Sequence, residues 1–456
     1  MNTLHIKLYA ILMLLLGSCD SFVDTDLPDS QLSSKAVFEN KVTANAAMTD
    51  IYARIRDTGL LTGQITGLSN LLGVYTDELN FYGNGTSALL PFYNNALIAS
   101  NNEVGQFWDT AYSQIYAANA VIEGVANAVS LDGATKNELT GEALFVRALL
   151  HFYLVNLYGD IPYIKTTDYR TNGTVTRVPV QTVYTSIRAD LKNAANQLPE
   201  TYTNPERTRP NKAAAHALLA RLSMYTNEWA EASNEASVVL NSPDYVFPAT
   251  LEAEFGKDSP ATIWQLAPRN GVANTLEAQT FIFTSGPPPM VALSDKLMAA
   301  FEPGDNRKAA WTKEVTDGTT SWYHANKYKE LYNTAASMEY SIILRTAEMY
   351  LIRSEARAKQ GDLIGAKEDL NVIRHKAGLE ETTAETATAI FEAVRKERRI
   401  EFFTELGHRF FDLKRDATID AALAGKSGWD YNDKLFPLPE KELLANPFLR
   451  PQNSGY

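Results

Sequence analysis

Apolar positions recur with a helical period over most of this chain. Ala143, Val146, Leu150, Tyr153 and Leu157 fall at i, i+3, i+7, i+10 and i+14, and Phe145, Leu149 and Phe152 form a second stripe. A helix that is apolar on most sides belongs in the interior, so this one is predicted to be central. It should end at Gly159-Asp160-Ile161-Pro162, where Gly159 can supply a left-handed C-cap and Pro162 blocks continuation. Residues 109–129, with Tyr112, Ile115, Tyr116, Ala120 and Ile122, form a candidate helical partner.

Two later segments repeat each other without a gap. Shifted by 134 residues, Ala213, Ala217, Leu222, Trp229, Ala232, Ala236 and Val239 fall on Ala347, Leu351, Ala356, Leu363, Ala366, Leu370 and Ile373. Each segment reads as helix, short polar turn (Thr226-Asn227-Glu228; Gln360-Gly361-Asp362) and helix, with small residues where helices cross. That is the tetratricopeptide pattern of helical hairpins, although the full consensus is missing. Trp229 is expected in the core. Such hairpins need neighbours to bury their faces, so more are expected between residues 35 and 240.

The texture changes between the repeats. Residues 241–340 hold eight of the 19 prolines, including Pro287-Pro288-Pro289, and three of the six tryptophans, Trp264, Trp311 and Trp322. Proline removes backbone donors and breaks helices, so this stretch is predicted to be irregular or short-stranded. Residues 59–105 carry seven glycines and the pairs Phe81-Tyr82 and Phe92-Tyr93, and read as a second irregular region. The organisation expected is one helical domain over 35–456 with loop-rich inserts at about 59–107 and 241–340. Long loops on a rigid frame are where binding residues tend to lie.

The N-terminus is an address. Lys7 precedes the short apolar run Leu8–Leu16, and Gly17-Ser18 precede Cys19. Nine apolar residues are too few to span a bilayer, which takes about 20 in a helix, and the pattern is that of a secretory signal. Leu16-Gly17-Ser18-Cys19 resembles a bacterial lipobox, which makes 1–18 a signal peptide and Cys19 the lipidated residue. Residues 19–34 then form a flexible tether. Several acyl chains on one residue suffice for stable anchoring.

Composition narrows the chemistry. The chain has 456 residues, 45% hydrophobic and 21% charged, as expected for a folded globular protein. With 42 basic against 54 acidic residues its formal charge is −12, which repels a phosphate backbone and argues against nucleic acid. A single cysteine rules out disulfide frameworks and cysteine-rich zinc sites. There is no HExxH, and the six histidines stand singly, so no metal or other cofactor is expected. Gly425-Lys426-Ser427 lacks the first glycine of a phosphate loop, with Asp420 in its place, and follows a helical segment. Asp77-Glu78 could serve a glycosidase, but with 54 acids such neighbours arise by chance; hydrogen bonding to hydroxyls or capping a loop is their better use. The cluster Arg395-Lys396-Glu397-Arg398-Arg399-Ile400-Glu401 interleaves acids with bases and reads as a salt-bridged helix face. No catalytic residue is assigned. Trp and Tyr rings suit the C–H faces of sugars, which leaves Trp311, Trp322, Tyr323, Phe81 and Tyr82, with Asp77, as ligand-binding candidates.

Taken together these features resemble the SusD/RagB family of outer-membrane nutrient-binding lipoproteins of Bacteroidota. The resemblance rests on Phe38 to Tyr52, on Glu142 to Pro162, on Arg345-Thr346-Ala347-Glu348-Met349-Tyr350-Leu351 with Ser354-Glu355-Ala356, on Glu397 to Phe403 with Arg409 to Arg415, and on Phe436-Pro437-Leu438-Pro439 with Gln452 to Tyr456. It implies a mainly α fold, a tetratricopeptide-like scaffold carrying a loop-rich ligand lobe. It implies further a TonB-dependent barrel of the SusC type as partner, over which the lipoprotein acts as a lid capturing oligosaccharides or peptides at the cell surface. A surface glycan-binding lipoprotein is the leading expectation. A peptide-binding lid or an assembly scaffold for the transporter comes next, and a secreted glycosidase last. The ligand residues themselves have no fixed signature in the family.

Overall fold

A computed structural model describes residues 34–456 of the protein, with side chains from residue 36. The expected signal peptide, Cys19 and all but the last residue of the expected tether lie outside the described residues. Ser34 itself opens a short helix that runs to Val37.

Helices of eight or more residues are numbered in chain order: α1 Lys41–Asp57, α2 Leu68–Tyr75, α3 Asn102–Asn127, α4 Gly133–Tyr158, α5 Val180–Gln197, α6 Lys212–Tyr225, α7 Trp229–Leu240, α8 Thr346–Gln360, α9 Leu363–Lys376, α10 Ala387–Glu401 and α11 His408–Arg415. The strands are β1 Leu79–Phe81, β2 Thr262–Leu266, β3 Val291–Leu293, β4 Thr312–Thr316, β5 Ser321–Ala325 and β6 Ser341–Arg345. The fold is mainly α, as expected. Asn40, Asn101, Asp132, Asn211, Asp362 and Thr386 start their helices with side chains that accept backbone amides of the first turn.

Every residue of α4 from Gly141 to Tyr158 is buried, which agrees with its double apolar stripe. α3 and α5 pack on either side of it. The chain leaves α4 at Gly159 with a positive φ of 75° but a ψ of −129°, so the glycine is needed there without forming the left-handed helical cap expected. The repeat offset is structural as well. α6 and α7 form one hairpin, α8 and α9 the other, and the shift of 134 residues brings Asn227 (φ 57°) onto Gly361 (φ 88°). Both turns need positive φ, which Asn and Gly tolerate best. α7 lies against α8, with Gln360 Nε2 donating to the Trp229 carbonyl at 3.2 Å. Trp229 is only half-buried, because it opens α7 at the edge of the hairpin with Lys359 over its ring.

The stretch 241–340 is short-stranded, as expected. β1 pairs with β3, β2 with β6 and β4 with β5, each pair antiparallel. β2 and β6 are buried throughout and join the lobe to the helices; Trp264 of β2 meets Tyr52 and Phe145 edge-on at 6.0 and 5.1 Å. The irregular reading of 59–105 missed α2. All eight of its residues are buried, so it shows no polar face to mark a period, and eight residues are too few to reveal one.

The cluster in α10 is a buried network. Glu397, Arg398 and Glu401 are all buried, and Glu401 draws its partners from other segments of the chain. Glu401 accepts from Arg345 Nη1 at 2.6 Å, Lys376 Nζ at 2.8 Å and Arg307 Nη1 at 2.9 Å. Burial opposes the ionisation of Glu401, but the charges of Lys376, Arg345 and Arg307 outweigh it and hold the carboxyl well below its usual range. Arg307 and Arg345 come from the loop-rich region and its exit strand, so the network clamps the lobe onto the helical frame.

Candidate functional site

Asp77 and Glu78 leave α2 and lead into β1. Asp77 accepts from Arg409 Nε at 2.8 Å, Arg409 Nη2 at 2.9 Å and Arg399 Nη2 at 2.9 Å. Burial pushes its carboxyl up, and the hydrogen bond and charge of Arg409 with the charge of Arg399 bring it below its usual range. A carboxylate held by two guanidinium groups is not offered to a ligand, so Asp77 is a clamp on the loop. Glu78 is buried beside it and is pushed up to about 8 by desolvation and by the charge of Asp77. The neighbouring acids of the sequence thus have opposite electrostatics: Asp77 is paired, whereas Glu78 is buried with its Oε1 lacking a hydrogen-bond partner among the described residues.

Trp311 is fully buried at the end of the short helix Asn306–Trp311. Its Nε1 donates to the Leu251 carbonyl at 3.1 Å, and Lys327 and Lys376 lie over its ring. It is a core residue and presents no face to a sugar. Trp322 and Tyr323 are neighbours on β5, and neighbours on a strand point to opposite faces. Trp322 covers Gly286: a methyl group there would lie 2.0 Å from its Cζ3, so only glycine lets the ring settle on the Pro-rich loop. Two residues on, His324 meets Phe283 of the same loop at 5.3 Å. Tyr323 packs instead toward the core.

Phe81 and Tyr82 come to that loop from the other side. β1 pairs with β3 through Phe81 and Val291, and the Tyr82 amide donates to the Met290 carbonyl at 2.8 Å. Tyr82 is 39% exposed. The structure therefore gathers Phe81, Tyr82 and Trp322 around residues 284–291, and leaves Asp77, Trp311 and Tyr323 outside the group.

A cleft of about 430 Å³ opens beside this loop, lined by Gln64, Ile65, Arg269, Leu276, Gln279, Phe281, Pro289 and Met290 among others. Its lining mixes apolar side chains with polar groups that can orient a small molecule. Gln64 is held by its Nε2 on the Asp57 carbonyl, and Arg269 by its Nε on the Asp57 carboxylate. The side chain of Gln279 has no partner among the described residues, and neither do the terminal nitrogens of Arg269. Sequence reasoning missed Gln64, Arg269 and Gln279. They lie in three distant segments, and polar residues on irregular loops carry no period or spacing by which to find them. Another cleft, of about 450 Å³, lies on the frame between Trp108, Tyr112 and Tyr116 of α3 and the C-terminal segment, and none of the loop aromatics reaches it.

Residues 22–224 match the family described as "Starch-binding associating with outer membrane", and residues 294–456 match the SusD family, also written SusD/RagB. SusD-like protein P2 of Formosa agariphila is 26% identical, covering 98% of this chain and 99% of the relative. SusD-like protein P25 of the same organism is 23% identical over the full length of both. Among solved structures, a SusD-like protein of Bacteroides fragilis has a TM-score of 0.79 at 22% identity, over 92% of this chain and 98% of that one. A laminarin-binding SusD-like protein (TM-score 0.76, 21% identity, 92% and 100% coverage) and surface glycan-binding protein A of Bacteroides fluxus (0.76, 21%, 91% and 100%) share the fold.

Proposed function

Because the chain belongs to the SusD/RagB family, we propose that it is a glycan-binding lipoprotein of the outer membrane. It captures oligosaccharides at the cell surface and passes them to a TonB-dependent barrel of the SusC type. The observation that carries this reading is the convergence of Phe81, Tyr82 and Trp322 on the loop that walls a cleft of about 430 Å³. Aromatic rings suit the C–H faces of a sugar, and Gln279 and Arg269, which line the cleft, offer partners to its hydroxyls. Carbohydrate is also the ligand named in the family description and for two of the solved relatives. Residues 35–456 act as one unit that holds this cleft, and acylated Cys19 tethers the unit to the membrane.

The test of ligand class is isothermal titration of the purified chain against starch oligosaccharides, laminarin oligosaccharides and a panel of peptides. Glycan binding that is lost in Trp322→Ala is expected; tight peptide binding with no glycan binding would overturn the assignment. Cys19→Ala should move the protein from the membrane fraction to the soluble one, and retention at the membrane would remove the tether. Co-purification of a barrel transporter with the lipidated chain is expected, and its absence at native expression would count against the partner.

A further inference from the structure

The β1–β3 pair has two ends, and a cleft lies at each. Val291, which pairs with Phe81, lines the cleft described above; Leu79 and Asn80, at the other end, line a second cleft of about 330 Å³ with Ser294, Asp295 and Lys296. Its far wall is Leu423 and the Gly425-Lys426-Ser427 triplet, which failed as a phosphate loop. We propose that this second cleft is a further sugar-binding subsite, which takes the units of a glycan chain that extend beyond the first.

Some side chains of this cleft are already engaged and others are not. Asp77 lines the second cleft but is held by Arg399 and Arg409, and Lys426 Nζ is held by the carbonyls of Val74 and Thr76. By contrast, the side chains of Asn80, Asp295, Lys296 and Ser427 have no hydrogen-bond or ion-pair partner among the described residues. These four supply donors and acceptors together, and the free charges of Asp295 and Lys296 cancel. A neutral ligand with many hydroxyls uses such a set; an anion meets Asp295, and a cation meets Lys296. The aromatic wall is Tyr93, which has Lys426 Nζ over its ring at 4.8 Å and lies with its ring 5.8 Å from that of Phe81. Phe81 stands with the aromatics gathered around residues 284–291, so Tyr93 links the second cleft to that group. The β1–β3 pair is only three residues long, about 7 Å between its ends, and a chain of sugars can cross it.

This inference rests on the glycan reading, and the experiment separates the two. Malto-oligosaccharides and laminarin oligosaccharides, from disaccharide to octasaccharide, are titrated into the full chain and into two variants. In the unaltered protein affinity should rise with chain length. Asn80→Ala combined with Ser427→Ala should weaken the longest oligosaccharide about tenfold, as expected for two lost hydrogen bonds, and leave the disaccharide unchanged. Gln279→Ala should weaken every length. Because neither Asn80 nor Ser427 has a partner to lose, the melting temperature should not move; if it does, exposed Lys296→Ala provides the same test. Binding that does not depend on length, or a double variant that weakens short and long chains alike or neither, overturns the second subsite and leaves the glycan reading standing. If no oligosaccharide of any length binds, the glycan reading fails and the subsite falls with it.

Discussion

Trp311 and Trp322 belong to the same loop-rich lobe and to the same residue type, and the structure treats them in opposite ways. Trp311 sits at the seam between lobe and helices, fully buried, with two lysines over its ring. Trp322 is on a two-stranded hairpin, half-buried, laid on a glycine of the Pro-rich loop. The same contrast divides the molecule. Its seam is a dense set of ion pairs around Glu401, whereas the outer lobe around residues 284–291 is held by short strands and leaves polar side chains unpaired. Aromatic content in an irregular stretch is therefore no guide to function until one knows which side of the seam a ring is on.

The contrast can be broken at the seam first. Glu401→Ala leaves Arg307, Arg345 and Lys376 facing one another in a buried space, and should cost about 3–5 kcal/mol. Urea denaturation measures it, and a loss below about 1 kcal/mol, as for an exposed ion pair, would mean that the network does not hold the lobe. Next come the two tryptophans. Trp311→Ala should destabilise the fold by about 3–5 kcal/mol through the cavity it leaves and should not alter glycan affinity while the protein is folded. Trp322→Ala should do the reverse, with a melting temperature nearly unchanged and affinity reduced at least tenfold, about 1.4 kcal/mol. Equal effects on both properties in both variants would erase the distinction. Tyr116→Ala, on the frame cleft, serves as a control and should leave affinity unchanged.

A finer probe is Gly286→Ala. The added methyl would sit 2.0 Å from Trp322 Cζ3 and must move the ring, so calorimetry should find weaker binding with little loss of stability. Unchanged affinity would show that the position of Trp322 is not critical. The smallest effect expected is a pH dependence. Glu78 has its folded pKa raised to about 8 from an ordinary 4.5. Between those values the folded protein holds a proton that the unfolded chain releases, so the stability this group contributes is full below pH 4.5 and is lost as pH rises through 8. Melting temperature should therefore fall less steeply over that range in Glu78→Gln than in the parent. Glu142 and Glu277, both raised to about 7 by burial, act in the same direction and keep the slope from vanishing.

Much of the frame was legible in the sequence. α4 declares itself through two apolar stripes, and the hairpins through small residues at a fixed offset, because helix burial repeats with a period that a sequence can display. The candidate site was legible only in part. Phe81, Tyr82 and Trp322 could be picked as loop aromatics, but Trp311 and Tyr323 satisfied the same criterion and turned inward. Asp77 reads as available for hydroxyls because its partners, Arg399 and Arg409, lie more than 300 positions away, one within the interleaved cluster of α10 and the other on α11. Gln64, Arg269 and Gln279 had no signal at all.

What the sequence determined by itself is the class of the fold, since periodicity, caps and turn residues act over a few neighbouring positions. The tertiary structure alone decided which rings face outward, which acids are neutralised and where two clefts meet a short pair of strands. Those outcomes depend on contacts between segments hundreds of residues apart, and on burial, which turns one tryptophan into core and leaves another as a surface.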